Sequence, residues 1–219
     1  MANLGGLFNI LKRKDKKESR TKGNIREKEE TTDIVEDKGM KEIEQEFKYL
    51  DSKTKNKICI DGIALLLLTK MGIIENAINF YNIILTPSLV EEIEKQKKDN
   101  EPEANFILNL INTGKFSKEK VDKNKDLIQY GLYMAELEIV SHFLNGNCNF
   151  ILSDDAIIRA NREILKLNAI STPAFVLSLL NKEIITREHA ISAYAILRSE
   201  KWFEEWIIDE CIRRVKLKK

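Results

Sequence analysis

A chain of 219 residues has the length of one domain with appendages, or of two small domains. Its 36 Lys and Arg against 35 Asp and Glu exclude an all-round polycation that coats DNA, but leave room for a local basic groove. With 43% apolar and 32% charged residues the composition suits a core under a charged surface; only three prolines and nine glycines exclude collagen-like or Pro-rich architectures. No window reaches roughly 18 uninterrupted apolar residues, so no integral membrane segment is expected.

Cys59, Cys148 and Cys211 lie far apart in apolar runs, with no C-x-x-C pair and only two histidines in the chain. They read as reduced core residues of an intracellular protein, and a structural zinc site is not expected. The opening MANLGGLFNILKRKDKK carries its apolar stretch before its basic block, unlike a secretory signal, so the cytoplasm is the expected location.

Residues 1–50 divide by charge. Lys12, Arg13, Lys14, Lys16, Lys17, Arg20 and Lys22 precede a block dominated by Glu and Asp from Glu27 to Glu46. So few apolar residues cannot offset the entropy of ordering, and a flexible charged tail is expected. Leu4, Leu7, Phe8, Ile10 and Leu11 form either a weak membrane or partner-binding face, or an ordinary solvated terminus.

From Lys57 the texture changes. KICID, ending at Asp61, suits a buried parallel strand, and Ile83 to Thr86 a second. Between them Gly62 to Met71 and Ile74 to Tyr81 read as helices split by Gly72. Pro87 fits the first turn of a helix reaching Lys98, and another is expected from Pro102 to Asn112. The polar, Lys-rich stretch from Thr113 to Asp126 reads as a surface loop. Tyr133 to Leu144 is a helix, Asn149 to Leu152 a third strand, Asp154 to Leu167 a helix and Ala169 to Ser171 a fourth strand. Pro173 opens a further helix, and Thr186 to Arg198 and Trp202 to Val215 close the chain. Such alternation, about four strands against eight helices, predicts an α/β layered domain around a parallel sheet.

In such a sheet, function gathers at the carboxyl ends of the strands. Asp61 ends the first strand, Asp154 and Asp155 follow the third, and Glu91 and Glu92 ride the helix after the second. Glu136 and Glu138 lie on the helix before the third strand. Converging carboxylates repel unless neutralised, and hard cations such as Mg²⁺ or Mn²⁺ do so with oxygen ligands. Phosphodiester hydrolysis is the chemistry that fits best.

Each residue also has a structural reading. Asp61 needs a partner or a metal to offset its burial. Asp154 could be a helix N-cap with Asp155 complementing the dipole, and Glu92 a solvated residue paired with Lys95 or Gln96. Glu136 and Glu138 stand about 200° apart around a helix, so at most one faces the site. His142 and His189 lack a catalytic constellation and read as structural, and no phosphate-binding glycine loop is present. Trp202, Phe203, Trp206 and Ile207 share a helical face that serves the core, a dimer contact or, less simply, base stacking.

The stretches ICIDGIALLLLTKMGIIE, ILTPSLVEEIEK and AELEIVSHFLNGNCNFILSDDAIIRAN, in that order, resemble the PIN-domain nucleases, in particular a branch with a G-E-x-E-A-I helix pattern. The later STPAFVLSLLNKEIITREHAISAYAILRSEKWFEEWII resembles that branch too. The resemblance runs from about Lys57 to Val215, with Ala135 where the branch usually has Gly and Gly62 where a small hydroxyl residue commonly stands. It implies a three-layer α/β sandwich about a four- or five-stranded parallel sheet. On this reading residues 51–181 form the catalytic domain and 182–219 a helical extension packed on it.

The resemblance further implies a metal-dependent ribonuclease, of a kind often found as VapC-like toxins held by an antitoxin. The catalytic set would be Asp61, Glu92, Glu136 and Asp154. Asp61, Glu136 and Asp154, with Asp155 as an alternative, would hold Mg²⁺ or Mn²⁺, and Glu92 would bind metal or orient the attacking water. Glu138 could stand in for Glu136. Arg159, Arg162 and Lys166 would draw the RNA backbone, or equally form a solvated helix face. A homodimer is a further expectation. The rival reading is a PIN-like scaffold that binds RNA or a protein partner without cleaving.

Overall fold

The computed structural model describes residues 56–96 and 102–217; the expected tail and its apolar N-terminal face lie outside the described residues. Five strands, β1 (Lys57–Ile60), β2 (Asn82–Leu85), β3 (Ser117–Lys118), β4 (Phe150–Leu152) and β5 (Ala169–Ile170), form one sheet. Every pairing is parallel and the order is β3-β2-β1-β4-β5. Ile58 of β1 stands opposite both Ile83 and Phe150, which fixes the register of the three central strands.

Alternation along the strands sorts side chains to two faces. Ile58, Ile60, Ile83, Leu85, Phe150, Leu152 and Ile170 point to one side. There they meet α1 (Gly62–Lys70), α2 (Ile74–Phe80), α3 (Pro87–Gln96), α4 (Pro102–Asn112) and α7 (Thr172–Asn181). Cys59, Ile84, Ile151 and Ala169 point to the other, against α5 (Met134–Leu144) and α6 (Ala156–Ala160). Both faces are covered, so the three central strands are apolar after their first residues and the domain has the expected three layers.

The two closing helices, α8 (Arg187–Ser199) and α9 (Glu205–Leu217), add Tyr194, Leu197, Ile208, Cys211 and Val215 to the first of these clusters. Tyr194 Oη donates to the Pro173 carbonyl at 2.9 Å, fastening α8 to the start of α7. All three cysteines are buried thiols. Among the described residues, no single helix is long and apolar enough to cross a membrane.

Three stretches depart from the sequence reading. The expected loop from Thr113 to Asp126 contains β3 and the start of a 3₁₀ helix (Lys125–Tyr130). Buried Phe116 anchors this segment, and Ser117 Oγ donates to Asn82 Oδ1 at 2.6 Å. Both residues of β3 are polar, so unlike the equally short but apolar β5 it leaves no strand signature. The helix expected from Asp154 to Leu167 ends after α6, because Asn161 Nδ2 takes the Ile157 carbonyl at 2.9 Å and the Tyr130 carbonyl at 3.0 Å. Such a side chain competes with the backbone ladder, and turns follow it. Finally, α9 starts at Glu205, so Trp202 and Phe203 precede it, packed on the main core instead of sharing a helical face with Trp206.

At the centre of the first cluster Tyr81 stacks obliquely on Phe175 at 5.4 Å and edge-on to Phe150 at 6.0 Å. Phe175→Ala should cost about 3–5 kcal/mol, since a fully buried ring is replaced by a cavity. Urea denaturation should show this as a lower midpoint at unchanged slope, and an unaltered midpoint would refute the packing role given to Phe175.

Candidate active site

Strand order reverses between β1 and β4, and a crevice opens at the carboxyl ends of two such neighbours. Asp61 leaves β1 there, while Ser153, Asp154 and Asp155 leave β4. Asp61 is only 5% exposed and caps α1, its Oδ1 accepting the Ala64 N–H at 2.6 Å. Its Oδ2 accepts the Asp154 N–H at 2.9 Å, the Asp155 N–H at 3.3 Å and the Ser153 hydroxyl. The Asp61 N–H in turn donates to the Leu152 carbonyl at 3.0 Å. Burial raises the carboxyl pKa against these donors, and the charge of Asp155 raises it further.

Asp154 is equally buried, accepting the Thr172 N–H at 2.9 Å and the Thr172 hydroxyl at the start of α7. Burial, then the charge of Asp61, pushes it up to about 7, against the Thr172 bonds and Arg159. The N-cap of α6 is Asp155, whose Oδ1 accepts from Ile157 N at 2.8 Å and Ile158 N at 3.1 Å. The cap expected of Asp154 therefore belongs to its neighbour. Asp154 is freed to point between the strands.

Glu92, on α3, and Glu136, in the first turn of α5, are both half-buried. Burial raises Glu92, with Asp61 adding and Lys95 opposing. Burial also lifts Glu136 to about 7, helped by the charges of Asp155, Glu92 and Asp61. Asp61 thus acts electrostatically on Glu92, Glu136 and Asp154, and Glu92 and Asp155 act on Glu136.

Glu138 does not join them. It is 1% exposed on the opposite side of α5, its Oε2 accepting Ser88 N at 2.8 Å and its Oε1 accepting Ser88 Oγ at 2.7 Å. Lys123 Nζ lies 2.7 Å from the same Oε1. Burial works to raise this carboxyl, but the Lys123 and Ser88 bonds outweigh it and hold the pKa below the ordinary value. A carboxylate at the first turn of α3 is where the helix dipole favours one. Glu138 therefore clamps α3, which carries Glu92, to α5, which carries Glu136.

The basic trio does not share one helix face. Arg159 sits on α6, close enough to Asp154 to lower its pKa, while Arg162 and Lys166 lie in the turns that follow. His142 is buried with Nε2 at 3.1 Å from Glu119 Oε2, and His189 Nε2 lies 3.3 Å from the Met71 carbonyl; both positions are structural. Ser153, Thr172 and Ser88 were absent from the sequence reading. The only signal was their place beside charged or turn residues, in LSDD, STP and TPS.

Every donor in the crevice is an oxygen, the set that a hard cation prefers. Among the described residues no three Asp, Glu, His or Cys side chains converge closely enough to hold an ion by themselves. Mg²⁺ ordinarily keeps several waters and takes one or two carboxylates plus substrate phosphates, so the crevice fits such an ion without a closed cage.

A family model for the PIN domain matches residues 57–217, from the start of β1 to the end of α9. The chain belongs to the PIN-domain family. No curated protein and no solved structure matches it. The PIN domain is a nuclease-type fold whose members generally use divalent metals. In this PIN domain Asp61 and Asp154 sit where the strand order reverses.

Folding shifts Asp154 from 3.8 and Glu136 from 4.5 to about 7. Between those values the folded protein holds protons that the unfolded chain has released. Stability of the cation-free protein should therefore fall as pH rises from about 4 to about 7, then level off. Urea midpoints measured in EDTA check this, with Asp154→Asn flattening the fall. A midpoint that climbs through that window would contradict the assignment.

Proposed function

We propose that this PIN domain is a divalent-metal-dependent endoribonuclease that hydrolyses RNA phosphodiester bonds. The observation that carries the reading is the placement of buried Asp61 and Asp154 at the reversal of strand order, with Asp61 electrostatically coupled to Asp154, Glu92 and Glu136. Asp61, Glu136 and Asp154, with Asp155 beside them, would hold Mg²⁺ or Mn²⁺. Such an ion, when bound, supplies Lewis-acid stabilisation of phosphoryl charge and a more acidic water.

The chain's own residues do the rest. Ser153 and Thr172 fix the two aspartates by donating to their carboxylates, so that neither must reorient during turnover. Glu136 and Asp154, with pKa values near neutrality, give up protons before they can serve as ligands, so cation affinity should rise with pH. Glu92 orients the attacking water. Arg159, Arg162 and Lys166 meet the RNA backbone. A toxin-like role under a protein inhibitor, a homodimeric unit and a cytoplasmic location belong to the same proposal.

One observation favours a second reading, a scaffold that binds RNA or protein without cleaving: every oxygen of Asp61 and Asp154 already accepts a hydrogen bond. Purified protein assayed on RNA with Mn²⁺, Mg²⁺ and EDTA separates the two. Cleavage should require the metal and vanish in Asp61→Asn/Asp154→Asn, and Ser153→Ala should lower metal affinity or rate by about 10–100-fold. Folded protein that neither cuts RNA nor binds Mn²⁺ would give the site to the scaffold.

A further inference from the structure

Four non-glycine residues among those described take a left-handed φ: Met134 (+47), Lys166 (+51), Glu183 (+60) and Lys201 (+52). Three of them end helical segments. Lys166 closes the turns after α6, Glu183 follows the C-cap of α7 and Lys201 that of α8. Their N–H groups reach the carbonyls of Glu163 at 3.3 Å, Leu180 at 3.0 Å and Arg198 at 3.2 Å. Just past a helix end this conformation is routine, because it satisfies the last carbonyls. Met134 is different. It opens α5, and its N-cap Tyr133 makes no side-chain capping bond that would call for a left-handed residue there.

The Met134 side chain does not explain the strain either, being 66% exposed. The constraint comes from both flanks. Upstream, Leu132 is fully buried and Asn161 Nδ2 holds the Tyr130 carbonyl at 3.0 Å. Downstream, Leu137 and Ile139 are buried in the cluster on that face of the sheet, and Glu138 is held by Ser88 and Lys123. Strain at one residue persists where the surrounding structure over-determines it, and such residues gather at functional sites.

Between the flanks lies Glu136. The Tyr133 carbonyl accepts both Glu136 N at 3.1 Å and Leu137 N at 3.3 Å, so the backbone of Glu136 hangs from the residue just before Met134. The φ of Met134 therefore sets the direction in which the first turn of α5 leaves that anchor. The charges of Asp155, Glu92 and Asp61 all act on the Glu136 carboxyl, so the turn delivers it among them. We propose that Met134 is a positioning residue, whose left-handed backbone aims the Glu136 carboxylate into the crevice for the cation. This deepens the ribonuclease reading and rests on it. An ordinary helical φ at Met134 would swing Glu136 away and leave Asp61 and Asp154, on other elements, in place.

Mn²⁺ binding to the full-length chain, followed by electron paramagnetic resonance, tests this together with urea unfolding in EDTA. Met134→Ile brings a β-branched side chain that resists a left-handed φ. It should weaken Mn²⁺ by about 10–100-fold, the range for losing a group that orients a metal ligand. Met134→Asn, which takes that φ readily, should keep wild-type affinity. In a Glu136→Gln background Met134→Ile should weaken Mn²⁺ no further, because both changes act through one carboxylate. Met134→Gly should lower the unfolding constant about 2- to 5-fold as the strain is relieved. Met134→Ile that binds Mn²⁺ like wild type, or weakens it again in the Glu136→Gln background, would overturn the positioning role. So would Met134→Gly without a gain in stability, a result that stands even where Met134→Ile does not fold. Wild-type protein that binds no Mn²⁺ would instead overturn the metal-dependent reading itself.

Discussion

Asp61 is the group on which the rest of the site depends. Its carboxylate ends β1, caps α1 and accepts three donors from the segment that leaves β4. Taking a carboxylate out of water costs several kcal/mol, and these donors offset that cost only in part. The raised pKa records the remainder. One residue therefore joins the two central strands where their order reverses and leaves negative charge there that favours a cation.

Helix geometry divides the labour on α5. Two glutamates two residues apart must face opposite ways, and the outcome follows what each meets. Glu136 looks into the crevice, where burial first and then three carboxylates raise its pKa. Glu138 looks away, where Ser88 and Lys123 lower its pKa. The second glutamate stabilises the arrangement that the first one strains, by holding α3 against α5 near both Glu92 and Glu136.

The same economy governs the segment after β4. Asp155 satisfies the start of α6, Asp154 turns to Thr172 and Asn161 ends the helix within two turns. Asn161 reaches the Tyr130 carbonyl from the end of α6, and Ile157 of the same helix stands beside Gly131.

The sequence by itself determined the four apolar strands, most helices and the parallel sheet, because short apolar runs between helical patterns are encoded locally. It also marked Asp61 and Asp154 as acids at strand ends, while Glu92 and Glu136 were singled out from their acidic neighbours only by the resemblance to the PIN-domain nucleases. The tertiary structure alone decided what each acid does. Glu138 is a clamp because Ser88, fifty residues earlier, presents its N–H there, and Asp155 is a cap because Asp154 finds Thr172. The two-residue β3 and the packing of half-buried Trp202 on the core likewise came from neighbours distant in the chain. Hydrogen-bond donors and packing partners that meet only after folding leave no mark in local spacing, and they set the roles.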